Sequence, residues 1–289
     1  MKSEDYPALF RAADKASNKK QSSYLILIIG EYASLFIAAI FLMPLFEDDP
    51  FYVAYTFVFL FSIAFLLTRG LMKPEQDWYR CRALAESIKT LTWRYVMQAQ
   101  PFSNNVVAAA RLEFTKYLRQ VLDENRMAAE KIGNEWSDAQ QLTTEMERVR
   151  SLGLADRKAI YLSERVQEQR AWYSRKAAAN RRSARRWFAF GLIVYLAAIA
   201  LSLGRIAFRQ WQNWPIEALI VLASSIIGWM QTKKFNELGA AYTVAAHEIG
   251  LIVPRLEDVA NEAQLSDCVN EAELAFSREH TMWIARRSS

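Results

Sequence analysis

Along most of the chain apolar residues recur every three or four positions against a charged background, the spacing of amphipathic helices. Four stretches lack the polar side. Tyr24 to Met43 carries one charge, Glu31; Phe51 to Thr68 and Trp187 to Leu203 carry none; Trp214 to Met230 carries only Glu217, near its start. A helix rises about 1.5 Å per residue, so roughly 17 to 25 residues cross a hydrocarbon core of about 30 Å. A helix in a water-soluble core still turns a polar edge outward at each turn, and these do not. The pattern predicts four membrane spans, about 24–43, 51–68, 187–203 and 214–230, paired as two hairpins. The expected fold is an all-α membrane protein with long cytoplasmic helical extensions. The first apolar run follows a charged stretch and contains Glu31, so it reads as a span and not as a cleaved signal peptide.

Between and after the spans the pattern stays helical, with no convincing strand alternation. A helix is predicted over Glu75 to Met97, broken by Pro101-Phe102-Ser103-Asn104-Asn105. A second runs from about Val106 to Ile132 and ends at Gly133. A third starts near Ser137, a candidate N-cap, and stops around Leu152-Gly153-Leu154. From Ala155 there is no Gly or Pro before Gly191, which predicts one helix running straight into the third span. A helix from Gln231 to about Ile252 follows the fourth span, Pro254 interrupts it, and a last helix follows Ser266.

This order repeats: basic helix, apolar hairpin, amphipathic helix. A shift of about 162 residues places Asn18-Lys19-Lys20 on Asn180-Arg181-Arg182 and Glu86 on Glu248. The two units keep the same orientation, so the repeat is parallel. The expected division is 1–154 and 155–289, each part holding one hairpin.

Charge gives the hairpins a direction. The turn Glu47-Asp48-Asp49-Pro50 is acidic, and the turn from Gly204 to Asn213 carries only Arg205 and Arg209. The other flanks are basic: Lys15, Lys19 and Lys20; Arg69 and Lys73; Arg170, Arg175, Lys176, Arg181, Arg182, Arg185 and Arg186; Lys233 and Lys234. Excess Lys and Arg marks the cytoplasmic side, so both termini and the middle segment are expected inside. Trp187 and Trp229 fall at the inner boundary; Trp211, Trp214 and Phe51 fall at the outer one. The net charge of +5 needs no nucleic-acid partner, because Lys19, Lys20, Arg181, Arg182, Arg185 and Arg186 lie where anionic lipid head groups would be. Mean hydropathy near zero conceals all of this by averaging spans with basic helices.

Candidate chemistry is sparse. No phosphate-binding glycine loop, paired cysteine motif or His-Glu-x-x-His helix is present, so neither an enzyme nor a cofactor or metal site is expected. His247 and His280 have no neighbours at metal-ligand spacing and read as surface or packing residues. Cys81 and Cys268 read as free thiols. Polar groups inside spans are more informative, since a charge in the bilayer is costly and usually faces protein or water. Glu31 is either a pore-lining carboxylate or a buried one that holds helices together. Glu217 and Arg205 form a candidate pair at the outer interface. Ser224, Ser225 and Gly228 make a small-residue face, as do Ala33, Ser34 and Ala38. Such faces usually serve close helix packing, with a hydroxyl-lined conduit as the alternative.

Short motifs are arranged around the spans. Tyr6-Pro7-Ala8-Leu9-Phe10-Arg11-Ala12-Ala13-Asp14 and Glu31-Tyr32 come first. Glu145-Met146-Glu147-Arg148-Val149-Arg150, Asp156-Arg157-Lys158, Glu164-Arg165-Val166 and Trp172-Tyr173-Ser174-Arg175-Lys176-Ala177 follow. Phe276-Ser277-Arg278-Glu279-His280-Thr281-Met282-Trp283 closes the chain. In this order they resemble the SLATT superfamily, the SMODS- and SLOG-associating two-transmembrane effector domains, in the fused two-domain form also catalogued as DUF4231. The first half resembles the third subtype and the second half the first subtype. The resemblance implies a bacterial inner-membrane effector of conflict systems that forms pores as a homo-oligomer, with a nucleotide-signal synthase or sensor as partner. It brings no catalytic residues. A non-conducting scaffold that recruits a cytoplasmic partner is the alternative.

Overall fold

A computed structural model describes residues 1–43, 48–104, 106–133 and 139–288, with side chains to Phe276. Glu47, Asn105 and the expected cap Ser137 lie outside the described residues, as do the side chains of His280 and the rest of the closing motif. Every regular element among the described residues is helical: α1 (Ala8–Phe41), α2 (Asp49–Met72), α3 (Pro74–Val96), α4 (Val107–Glu124), α5 (Arg126–Ala129), α6 (Thr144–Arg150), α7 (Leu154–Ile160), a π-helical stretch (Tyr161–Gln167), α8 (Glu168–Ala207), α9 (Ile216–Lys233), α10 (Phe235–Glu257) and α11 (Glu262–Ser288).

Several boundaries differ from the sequence pattern, each for a local reason. The helix expected from Val106 to Ile132 breaks at Asn125, so only α4 and the short α5 form. The Thr143 hydroxyl caps α6 by accepting the Met146 N–H at 3.3 Å. Leu154 to Ala207 is helical without interruption, but seven of its residues adopt the wider π turn, which the absence of Gly and Pro does not reveal. Pro254 does not end α10. The position four residues before it is Gly250, beside which the Arg170 guanidinium packs, and the helix continues to Glu257. The last helix starts earlier than Ser266, because the Asn261 side chain accepts the Gln264 N–H at 3.0 Å and caps it.

Three helical runs are long and apolar enough to cross a membrane: Ala8–Phe41, Asp49–Val96 and Leu154–Ala207. Four were expected. The remaining candidate, α9, has only 18 residues and closes on Gln231-Thr232-Lys233, so its polar end dilutes its apolar stretch.

The two hairpins end alike in the backbone. Lys73 and Lys234 both adopt the left-handed conformation, with φ 44° and 46°. Each ends a hairpin helix by returning its N–H to a carbonyl four residues back, Arg69 at 3.1 Å and Met230 at 2.9 Å. The helices that follow, α3 and α10, are each 23 residues long. Lys234 stands 161 positions after Lys73, which sets Glu86 opposite His247 and not Glu248. Small gaps in the hairpins shift the register between the first helices and those that follow.

The chain forms two compact units. One comprises 1–21, 74–174 and 243–289, the other 22–73 and 175–242. In the first, α3 is the central helix, with Leu84, Ala85, Ile88, Trp93, Tyr95 and Val96 fully buried. α11 packs along one side of it, and α4, α5 and α6 pack on others. Phe102 and Phe114 fill the space beside Tyr95 at ring separations of 5.8 and 4.8 Å.

The second unit turns its large apolar side chains outward. Phe57, Phe61 and Leu67 of α2, Phe188, Ile193 and Leu196 of α8, and Ile220 of α9 are all exposed. Only 6% of the most apolar window in the Asp49–Val96 run is buried. Its core is thin: Val194, Ala223 and Ile226, with Trp187, Leu219, Leu222 and Met230 around them. Apolar patches this continuous are not stable against water and mark a membrane surface.

Candidate functional site

In the apolar unit, Glu31 lies on α1 and is half-buried. Arg69, one turn from the end of α2, brings a guanidinium nitrogen to 3.0 Å from its carboxylate. The contact is an ion pair and not an aligned hydrogen bond, since the same oxygen has no hydrogen-bond partner. One residue earlier, a Cβ on Gly30 would stand 2.8 Å from the Phe65 ring. Glu31 is therefore level with the last turns of α2, and its charge is met by protein. The contact joins an acid of α1 to a base of α2 within one hairpin. The sequence held the signal, an acid and a base on the two helices of one hairpin, but not their heights.

The small-residue face of α9 meets Tyr32. A Cβ on Gly228 would overlap the Tyr32 hydroxyl, so only glycine lets α9 approach α1 this closely. Beside this contact lies an open groove of about 370 Å³ lined by Tyr32, Leu35, Ala38, Tyr55, Ser224 and Ser225, among others. The Ser225 hydroxyl donates to its own helix at Val221 (2.8 Å), and Ser34 does the same to Gly30 (2.8 Å). Both hydroxyls are thus spent on backbone.

Arg205 and Glu217 are both exposed, and no ion pair joins them. Between them an aromatic row fills the turn, with Phe208 on Trp211 and Trp211 on Trp214 at 5.7 and 5.8 Å. Trp214 packs where a Cβ on Gly204 would be, at 2.9 Å. Of the basic residues expected at lipid head groups, Arg181, Arg182, Arg185 and Arg186 are exposed along α8, and Lys19 is exposed on α1. Lys20 is different: it pairs with Asp77 at 2.9 Å and is half-buried.

The helical unit holds polar groups that the search for chemistry passed over. Glu273 of α11 and Arg165 of the π stretch form an ion pair with 0% and 1% exposure. Glu273 accepts two bonds from Arg165 (2.8 and 2.6 Å), one from the Tyr161 hydroxyl (2.9 Å) and one from Thr90 (3.0 Å). Burial opposes the Arg165 charge, but the Glu273 carboxylate outweighs it and holds the guanidinium protonated. Burial, then Glu273, pushes the Tyr161 phenol well above its ordinary range. Two more buried arginines close the loop after α3. Arg150 donates to the carbonyls of Tyr95, Phe102 (2.8 Å) and Asn104 (2.9 Å). Arg157 donates to Met97 (2.7 Å) and Leu152 (3.1 Å) and pairs with Glu262. All three arginines belong to motifs quoted above. Helical spacing that sets an arginine among apolar positions was the available signal.

Among the described residues no three His, Cys, Asp or Glu side chains gather to hold a metal ion. Cys81 and Cys268 are free, buried thiols, each pushed up by burial.

Residues 7–158 match the family model for SMODS and SLOG-associating 2TM effector domain 3, and residues 161–283 match that for domain 1. The chain belongs to the SLATT family. No curated protein and no solved structure matches it. In this SLATT chain the matched domains interleave: each contributes its hairpin to the apolar unit and its remaining helices to the helical unit. Of the motif residues, Arg150, Arg157 and Arg165 are buried in the helical unit, while Glu31 and Tyr32 meet Arg69 and Gly228 in the apolar one.

Proposed function

We propose that the chain is an oligomeric pore or channel-like effector of a bacterial conflict system, set in the inner membrane by four spans with both termini cytoplasmic. The observation that carries this reading is the match of two consecutive two-transmembrane effector domains across nearly the whole chain. The outward apolar faces of α1, α2, α8 and α9 supply the embedding. On this reading α9 crosses despite its brevity, its polar end sitting at the basic, cytoplasmic boundary where Lys snorkels. Four spans enclose no wide conduit, so conduction requires several copies about an axis, opened by a nucleotide-signal synthase or sensor. The role is non-enzymatic and needs no cofactor or nucleic acid.

Purified full-length chain in liposomes, with oligomer size measured alongside, tests this. Ion flux that scales with the oligomeric fraction is the expected result. A correctly inserted oligomer that passes no ions in the presence of cell extract from infected bacteria would overturn it.

The Glu31–Arg69 pair and the Tyr32–Gly228 contact favour a second reading, a tightly packed, non-conducting scaffold whose helical unit recruits a cytoplasmic partner. A sealed liposome together with partner capture by the helical unit would select it.

A further inference from the structure

The open groove of about 370 Å³ in the apolar unit is walled by α1, α2 and α9. At one end α9 touches α1 through Gly228 and Tyr32. Beyond that contact Ala38 and Ser224 leave the helices apart, and the groove continues as far as Leu42. Tyr32 and Leu42 both line it, so it extends roughly 15 Å along α1 at about 1.5 Å per residue.

Its walls are mostly apolar, yet the hydroxyls of Tyr32, Tyr55 and Ser224 belong to them. Among the described residues none of these three hydroxyls has a hydrogen-bond partner, unlike Ser225, which bonds to Val221. In hydrocarbon a hydroxyl left unpaired costs free energy. A fitting occupant is therefore apolar in body and carries acceptor oxygens where the hydroxyls lie. An acyl chain has no oxygen along its length. Phospholipid ester groups stay at the head-group level, whereas Tyr32 and Ser224 fall midway along the spans expected for α1 and α9. A small ring bearing carbonyl groups meets both demands. Tyr55 and Phe59, stacked at 6.2 Å and 28°, supply an aromatic wall on which such a planar ring packs.

We propose that this groove binds a lipid-soluble quinone, its ring against Tyr55 and Phe59. Its two carbonyl oxygens, each with two lone pairs, accept from the Tyr32, Tyr55 and Ser224 hydroxyls. The bound ring joins the first hairpin to α9 at mid-span. The site rests on the membrane placement of the hairpins and not on conduction.

The test uses the full-length chain in phosphatidylcholine nanodiscs and a tritium-labelled, fully substituted benzoquinone with a decyl tail, read by scintillation proximity. Saturable binding is expected despite the excess of phospholipid. Unlabelled decylbenzene, which keeps an apolar body without carbonyls, should compete about tenfold more weakly than unlabelled quinone, or worse. Tyr32→Phe, Tyr55→Phe and Ser224→Ala each remove one hydroxyl. Each should weaken binding about two- to tenfold, the range of one neutral hydrogen bond. Ile220→Trp fills the groove from an exposed position and should abolish binding. Leu196→Trp, at a residue exposed on α8 that does not line the groove, should leave it unchanged. No saturable binding, or equal competition by decylbenzene, overturns the proposal. Binding that survives Ile220→Trp, or all three hydroxyl changes, overturns it as well. Should Ile220→Trp fail to fold, the hydroxyl variants decide. A smaller oligomer on Ile220→Trp, with no quinone bound by the wild type, would give the groove to a second copy of the chain and overturn the quinone. Saturable binding by a chain that passes no ions faults the pore reading alone, and ion flux without binding faults the quinone alone.

Discussion

Glu273 accepts four hydrogen bonds with no access to water, so its neighbours depend on its charge. Removing one partner of a buried ion pair leaves the other uncompensated and costs about 3–5 kcal/mol. Glu273→Gln is therefore expected to lower the thermal midpoint of the solubilised protein sharply. Replacing both partners, Arg165→Met with Glu273→Leu, should cost less than the single change; a double variant no better than Glu273→Gln would contradict this account. Lys89 nearby is held in the reverse condition. Burial lowers its pKa first, and Arg165 adds to the effect, with Glu86 and Glu168 opposing in part. Between the lowered folded value and the ordinary value near 10.5, the unfolded chain holds more protons, so stability rises with pH across that window. Below it the cost of the buried charge is fully present. Lys89→Met should raise the thermal midpoint at neutral pH, and its advantage should shrink as pH approaches 10.5. A constant advantage across that range would exclude the charge as its cause. None of this was legible in the sequence, where Arg165, Lys89 and Glu273 sit among many charges and their surroundings depend on α3, the π stretch and α11 meeting in space.

Elements tell a more readable story, because helices are local. The apolar runs mark α1, α2, α8 and α9 directly, and the return to amphipathic spacing marks α3 and α10. What the pattern missed are features decided by contact. Pro254 lies inside α10, which runs on to Glu257, and the π stretch carries no compositional mark at all. The Ser224-Ser225-Gly228 face was legible as a packing surface, but its partner was not. That partner is Tyr32, which makes a sharp prediction. Gly228→Ala puts a methyl group into the Tyr32 hydroxyl and should cost about 1–3 kcal/mol by overpacking, seen as a lower midpoint in detergent. Tyr32→Phe removes the offending oxygen and should restore part of it. If Tyr32→Phe gives no rescue, α9 does not approach α1 through this pair. At the ends of α2 and α9, Lys73 and Lys234 occupy a backbone region that strains most side chains, at a cost of roughly 1–2 kcal/mol. Lys73→Gly should be stabilising, as measured by chemical unfolding, because glycine adopts this turn without strain; a destabilised variant would mean the lysine side chain holds the turn.

For the whole molecule, the sequence shows a repeated order of basic, apolar and amphipathic segments. Its consequence for architecture was not legible there. The two family matches, 7–158 and 161–283, divide the chain in its middle, whereas the compact units divide it by environment, apolar hairpins in one and mixed helices in the other. Linear patterns record ancestry and local solvent preference, but not which distant helices share a core. The buried thiols give a check on the helical unit as a whole. Cys81 and Cys268 sit on α3 and α11, buried and pushed up by burial, so a maleimide at neutral pH should label neither in the native protein and both after denaturation. Prompt native labelling would show that the two helices part readily.

The interleaving of the two matched domains has a bearing on how such a chain can be divided. α11, from the second domain, lies against α3, from the first, and Glu273, Thr90 and Tyr161 meet across that seam. A cut in the peptide between α6 and α7 would thus sever the backbone without separating the products, which should co-purify as a nicked pair. Either half made alone would present a bare seam, so the duplicated chain is bound to function, degrade and diverge as one piece.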